Sequence, residues 1–156
     1  MISELASLRE IQALMIVAPI LIYIVVQDLR TYRIRNEAII ALLVLFGGFY
    51  LVNGDMPSFT SHLTFGVVFF AVFLAMYWFG LMGGGDVKLL TVAFFWLGPE
   101  NALPFSLFLG ILSLVYALGA TRKLVPSYVH NGRVKVPFGP TIAISWTAAW
   151  LMRLAA

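Results

Sequence analysis

The chain has 156 residues, of which 62% are hydrophobic and 11% charged, with no cysteine and a net charge of +3. A typical soluble domain is about 45–50% apolar and about 25% charged, and one of this size could not bury so much apolar surface. With a mean hydropathy of +0.97, the solvent is a bilayer. Intrinsic disorder, a disulfide scaffold and a cysteine-ligated zinc site are excluded, and the basic balance reports topology rather than a nucleic-acid partner.

A membrane helix needs about 20 mostly apolar residues. The apolar runs are 11–27, 38–52, 62–82, 87–97, 102–120 and 138–154, which predict six transmembrane helices in one all-α, polytopic domain covering 1–156. The first run has no basic leader and no small-residue cleavage pattern, so it reads as a permanent helix and not a secretory signal. The fourth run is short and needs neighbours, Gly83–Asp86 before it and Gly98–Asn101 after it, which would draw Asp86 below the membrane surface. Six spans divide the basic residues sharply. Arg30, Arg33, Arg35, Lys88, Arg122, Lys123, Arg133 and Lys135 fall on one side, and Arg9 and Arg153 on the other. The positive-inside rule then puts both termini outside and loops 28–36, 83–88 and 121–136 in the cytoplasm.

Along the chain, Asp28 closes the first helix. Asn53-Gly54-Asp55, continued by Pro57 and Ser58, reads as an outer turn. His62 lies toward the outer face and His130 in the last loop, each as a plain polar or interfacial residue. The segment Leu81-Met82-Gly83-Gly84-Gly85-Asp86-Val87-Lys88-Leu89-Leu90 places an aspartate after three glycines. Glycine is poor helix filler. It serves where backbone bends or another chain approaches closely, so this stretch reads either as a water-accessible notch with Asp86 at its wall or as a Gly-rich turn with Asp86 as an N-cap. Residues 128–136 carry Asn131-Gly132 between strand formers, a hairpin signal. That hairpin is either a headgroup-resting element or a substrate lid. Gly47, Gly48, Gly66 and Gly110 are candidate sites of close helix approach.

Ionisable groups within membrane segments default to functional candidates. Asp28 and Asp86 are separated by two spans, which returns both to the same side. Two carboxylates in contact would share one proton and could activate water for peptide hydrolysis. The alternatives are a small transporter or proton- or cation-conducting protein using the same aspartates, or a noncatalytic scaffold.

Three blocks carry a resemblance. Asp28-Leu29-Arg30-Thr31-Tyr32-Arg33-Ile34-Arg35-Asn36, Gly83-Gly84-Gly85-Asp86-Val87-Lys88-Leu89 and Val136-Pro137-Phe138-Gly139-Pro140 occur in the order found in the type IV prepilin peptidases, which the chain resembles. That family is of the Gly-x-Gly-Asp intramembrane aspartyl protease type. The small peptidase-only members of tight-adherence (Flp-type) pilus systems are nearest, and archaeal preflagellin peptidases are similar. The resemblance implies Asp28 and Asp86 as the catalytic pair, with Gly83, Gly85, Lys88, Arg30, Arg33 and Asn36 binding substrate or supporting the site. It implies pilin-like precursors as substrates, cut at the cytoplasmic face of the inner membrane, with pilus assembly machinery as a further partner. No cofactor or metal is expected. Arg35 stands where the family often has proline. Without cysteine the chain lacks the Cys-x-x-Cys insert of the larger members, so methyltransferase activity is not expected.

Overall fold

A computed structural model of the protein describes residues 2–122, 128–130 and 133–155, with side chains over 8–120, 122 and 136–155. It contains five helices: α1 (Ile2–Thr31), α2 (Asn36–Asn53), α3 (Met56–Trp78), α4 (Gly84–Thr121) and α5 (Gly139–Leu154). A two-stranded antiparallel ribbon, β1 (Tyr128–His130) with β2 (Arg133–Lys135), pairs His130 with Arg133. Asn131-Gly132, which carries the hairpin signal, and the side chains bearing on a lid or headgroup role lie outside the described residues. Among the described residues the regular structure is therefore all-helical apart from this ribbon. Among the described residues, four helices are long and apolar enough to cross a membrane: Leu8–Thr31, Asn36–Asn53, Met56–Trp78 and Gly84–Ala120.

The boundaries follow local chemistry. α1 ends where Tyr32 takes a positive φ of 53° and Thr31 Oγ1 bonds back to the Gln27 carbonyl at 2.9 Å. Arg35 opens α2 and makes a two-pronged bond to Glu37 at 3.0 Å through each nitrogen. That bond holds the Arg35 guanidinium above its ordinary range. Gly54 closes α2 in the left-handed region. Asp55 caps α3 by accepting the Ser58 N–H at 3.3 Å, with proline in the first turn. The Ser58 bonds and the Arg9 guanidinium hold the Asp55 carboxyl below its ordinary range. Pro57 and Ser58 thus start a helix, where the sequence alone suggested more turn.

α4 joins the fourth and fifth expected helices. Gly98, at φ 64° and ψ −176°, breaks it into two halves. In a straight helix residues 94 and 105 would be about 16 Å apart along the axis, yet the rings of Phe94 and Phe105 lie 5.3 Å apart, edge to face. The chain bends sharply at Gly98. The expected recruitment of residues before Val87 occurs, since the first half starts at Gly84. The recruitment of Gly98–Asn101 does not, because Gly98 ends that half.

The first half, 84–97, is the centre of the bundle. Val87, Leu89, Leu90, Val92, Ala93, Phe94, Trp96 and Leu97 are all buried, so beyond the exposed Lys88 this helix is covered by protein on most of its surface. Phe65, Phe69 and Phe73 form an i, i+4 stripe on α3 and close on Phe94, with Phe69 stacked on it at 4.3 Å. The Trp96 indole donates to the Leu42 carbonyl of α2 at 3.0 Å. Gly66 faces the Phe95 ring, so it serves packing within the bundle. Gly47, Gly48 and Gly110 have open space before them.

α1 and α5 pack together and are fastened at both ends. At one end the Gly139 N–H donates to Asp28 Oδ2 at 2.8 Å. At the other, Arg153 Nε meets Glu10 Oε1 at 2.7 Å. Arg9 pairs with Asp55 at that second end. Replacing Gly98 by alanine would force a side chain into a backbone region open essentially to glycine and into the His62 ring. We expect Gly98→Ala to cost about 2 kcal/mol or more, read as a lowered unfolding midpoint in detergent.

Candidate functional site

A cavity of about 580 Å³ opens at the end of the bundle marked by Asp28 and Gly139. Its walls include Asp28 and Tyr32 from the end of α1, Arg33 and Ile34 from the link to α2, Gly80–Asp86 from the α3–α4 turn, and Val136 and Phe138 before α5. Both aspartates line it, and they are close enough for the charge of Asp28 to act on Asp86. The two spans between them return the chain to one end, as expected.

Each carboxylate is oriented by backbone. Asp28 is 4% exposed. It sits at the last turn of α1 and receives the first N–H of α5, a helix N-terminus that favours a nearby negative charge. A Cβ on Gly139 would stand 2.9 Å from Asp28 Oδ2 and 3.2 Å from its Cβ, so only glycine allows the approach. Asp86 is the third residue of α4, after its N-cap Gly83. Its carboxylate accepts the Gly83 N–H, the N3-to-N-cap half of a capping box. Asp86 is therefore not the N-cap itself, one of the two roles open at the sequence level. A Cβ on Gly85 would lie in ordinary contact with Ile34, at 3.4 Å, so the start of α4 rests against the α1–α2 link. The run forms the cavity wall.

Of the remaining candidates, Gly83, Gly85 and Arg33 line the cavity, while Arg30, Lys88 and Asn36 do not. Lys88 and Asn36 meet each other: Lys88 Nζ donates to Asn36 Oδ1 at 3.0 Å. Their contact ties the start of α4 to the start of α2, beside the cavity rather than in it. Arg30 is exposed on the last turn of α1. Tyr32 and Phe138 were not singled out from sequence. The break of the α1 pattern at Asp28-Leu29-Arg30 could have pointed to Tyr32, and Phe138 stands within the Val136–Pro140 block.

His62 and His130 did not enter the expected site. His62 lies at the opposite end of the bundle and is buried and fully engaged there, not a plain interfacial residue. The side chain of His130 lies outside the described residues.

The chain matches the type IV leader peptidase family over residues 15–118. It belongs to that family, and membership implies a peptidase acting on prepilins. No curated protein and no solved structure matches it. The matched span contains Asp28, the Asn36–Lys88 contact and Asp86.

Because the Asp28–Gly139 approach leaves no room for a methyl group, Gly139→Ala should push the two ends apart. We expect a stability loss of about 1–3 kcal/mol from the weakened buried bond, seen as a lower unfolding midpoint, together with slower cleavage of any substrate.

Proposed function

We propose that the protein is an intramembrane aspartic endopeptidase that removes the leader peptide from type IV pilin-like precursors, of the Flp type, without methylating the new terminus. The observation that carries this is the single cavity wall shared by Asp28 and Asp86 in a member of a leader peptidase family. In this mechanism the pair holds one proton and titrates as a unit. The ionised carboxylate takes a proton from water as the water oxygen attacks the scissile carbonyl carbon. The protonated carboxylate donates to the carbonyl oxygen. Collapse of the tetrahedral intermediate breaks the C–N bond, and a proton passes to the leaving amine.

The topology we propose has six crossings, with α4 supplying two, 84–97 and 99–121, on either side of Gly98. The first of these is about 21 Å long, less than a bilayer core of about 30 Å. Being enclosed by the other helices, it need not meet lipid along its length. The clips at the two ends of α1 and α5 support this arrangement: Arg9, Asp55, Glu10 and Arg153 share one end, Asp28 and Asp86 the other. The positive-inside rule then puts both termini outside and the aspartates at the cytoplasmic face of the inner membrane.

The apolar helix of the precursor would lie along the seam of α1 and α5. A groove of about 460 Å³ there is lined by residues from Ala18 to Val26 and from Ala143 to Leu151. Ala18, Leu21 and Val25 continue to Asp28 on one face of α1, and Leu151, Thr147 and Ala143 continue to Gly139 on α5 at i, i+4 spacing. A helix in this groove would therefore end at the aspartates. Arg33, at the cavity, is the residue best placed to meet an acidic group near the start of that helix. Arg30 and Lys88 add positive charge nearby. A transporter reading would favour a site near the midplane, whereas both aspartates lie at one end.

Co-expression with a pilin precursor and a gel-shift readout tests the pair. Asp28→Asn and Asp86→Asn should each slow processing at least about 100-fold, the usual scale for a lost acid–base group. Retained processing in either variant overturns the mechanism. Charge reversal at Arg33 should slow cleavage more than reversal at Arg30 or Lys88, and equal effects would remove Arg33 from a special role.

A further inference from the structure

The end of the bundle opposite the aspartates holds a second polar cluster, around a cavity of about 170 Å³. Its polar walls include Arg9 and Glu10 of α1, Asp55 before α3, Glu100 and Asn101 of α4 and Arg153 of α5. Asn101 is 3% exposed. Its Nδ2 donates to the Leu97 carbonyl at 3.0 Å. A carbonyl oxygen can only accept, which fixes the amide nitrogen on that side. Oδ1 is then left in the cavity wall, buried and without a partner among the described residues. A buried oxygen is costly until a donor reaches it, so the cavity calls for an N–H or O–H group from outside the chain.

The charges around the cavity select the kind of donor. Arg9 is paired with Asp55 and Arg153 with Glu10. Glu100 meets the His62 ring, with Nε2 3.3 Å from Oε2, and pairs with no guanidinium among the described residues. Three carboxylates thus wall the cavity against two guanidiniums. Glu10 and Glu100 are close enough for their charges to act on each other, and a positive group beside them relieves that repulsion. Trp96 and Trp150 also wall the cavity, and indole rings attract cations. Among the described residues no three His, Asp or Glu side chains are grouped to hold a metal ion. An organic cation that carries N–H donors meets all these conditions.

We infer that this cavity binds a primary ammonium group, which donates to Asn101 Oδ1 and sets its charge against the Glu100 carboxylate. The ends of a membrane-spanning bundle lie at the level of the lipid headgroups. The group therefore comes either from the headgroup of an ethanolamine phospholipid or from a free small amine. The half-exposed guanidiniums of Arg9 and Arg153 suit the phosphate that a lipid headgroup also carries. Binding at this end stabilises the folded chain and takes no part in chemistry at Asp28 and Asp86, so it stands apart from the peptidase reading.

Thermal unfolding of the protein, followed by tryptophan fluorescence, reads the binding. In detergent, ethanolamine hydrochloride is compared with tetramethylammonium chloride, a cation of equal charge with no N–H. In lipid nanodiscs, phosphatidylcholine with added phosphatidylethanolamine is compared with phosphatidylcholine alone. We expect the ammonium group to raise the midpoint by about 3 °C once bound, and tetramethylammonium to leave it in place. Glu100→Gln and Asn101→Leu should each raise the half-saturating ethanolamine concentration at least about tenfold, the scale of a hydrogen bond to a charged group, and abolish any rise in the nanodiscs. A rise with the lipid alone assigns the group to a headgroup, and a rise with free ethanolamine assigns it to a small amine; both support the site. No rise in either arm, an equal rise with tetramethylammonium, or a rise that either variant retains overturns the inference and leaves a cavity that holds water only. Should a variant not fold, the comparison of the two cations on the unaltered chain still decides.

Discussion

A hydrogen bond between residues 111 positions apart decides the shape of the end of the bundle that carries Asp28 and Asp86. Asp28 is almost wholly buried, and a buried carboxylate needs partners. The Gly139 N–H supplies one, at the start of a helix whose unpaired amides favour negative charge. The bond can form only if α1 and α5 meet closely, which glycine at 139 permits. Once they meet, the α1–α2 link and the segment before α5 become walls of one cavity. Asp86 then completes it from α4.

Burial of α4's first half is the second constraint. An apolar helix too short for a bilayer is stable if other helices cover it. The aromatic stripe of α3, the Trp96 bond to α2 and the packing of α5 do this. The helix that carries Asp86 is thereby fixed at its start by the Lys88–Asn36 contact and at its end by the bend at Gly98. Among the described residues few charges are placed within this bundle, and those present are paired or lie at its two ends.

Much of this was readable from residues alone. Asp28 and Asp86 stood out because charge is scarce, and an even number of spans put them at one end. The Asn131-Gly132 signal foresaw a ribbon whose pairing leaves two residues between strands. The hydropathy pattern gave the fourth helix, but not that the break falls at Gly98, because a glycine near Pro99 can end a helix or merely flank one. Lys88 and Asn36 are candidates for binding substrate or supporting the site; their contact with each other depends on the meeting of two helix starts 52 residues apart, which no local pattern records. Arg30 and Arg33 are near in sequence, yet only Arg33 lines the cavity, because α1 ends between them at Tyr32. His62 looked inert because its partners come from a carbonyl and a carboxylate on another helix, and no local pattern records these.

The bond from Asp28 to Gly139 also has a meaning for biosynthesis. Translation runs from the amino end, so Asp28 enters the membrane long before Gly139 is made. During most of synthesis the two aspartates lack the wall that Val136 and Phe138 provide, and Asp28 lacks its amide. A nascent peptidase emerging among other membrane helices is therefore an unfinished one, and the cavity closes only as residues 139–154 are threaded in beside α1. The order of synthesis acts as a delay built into the chain.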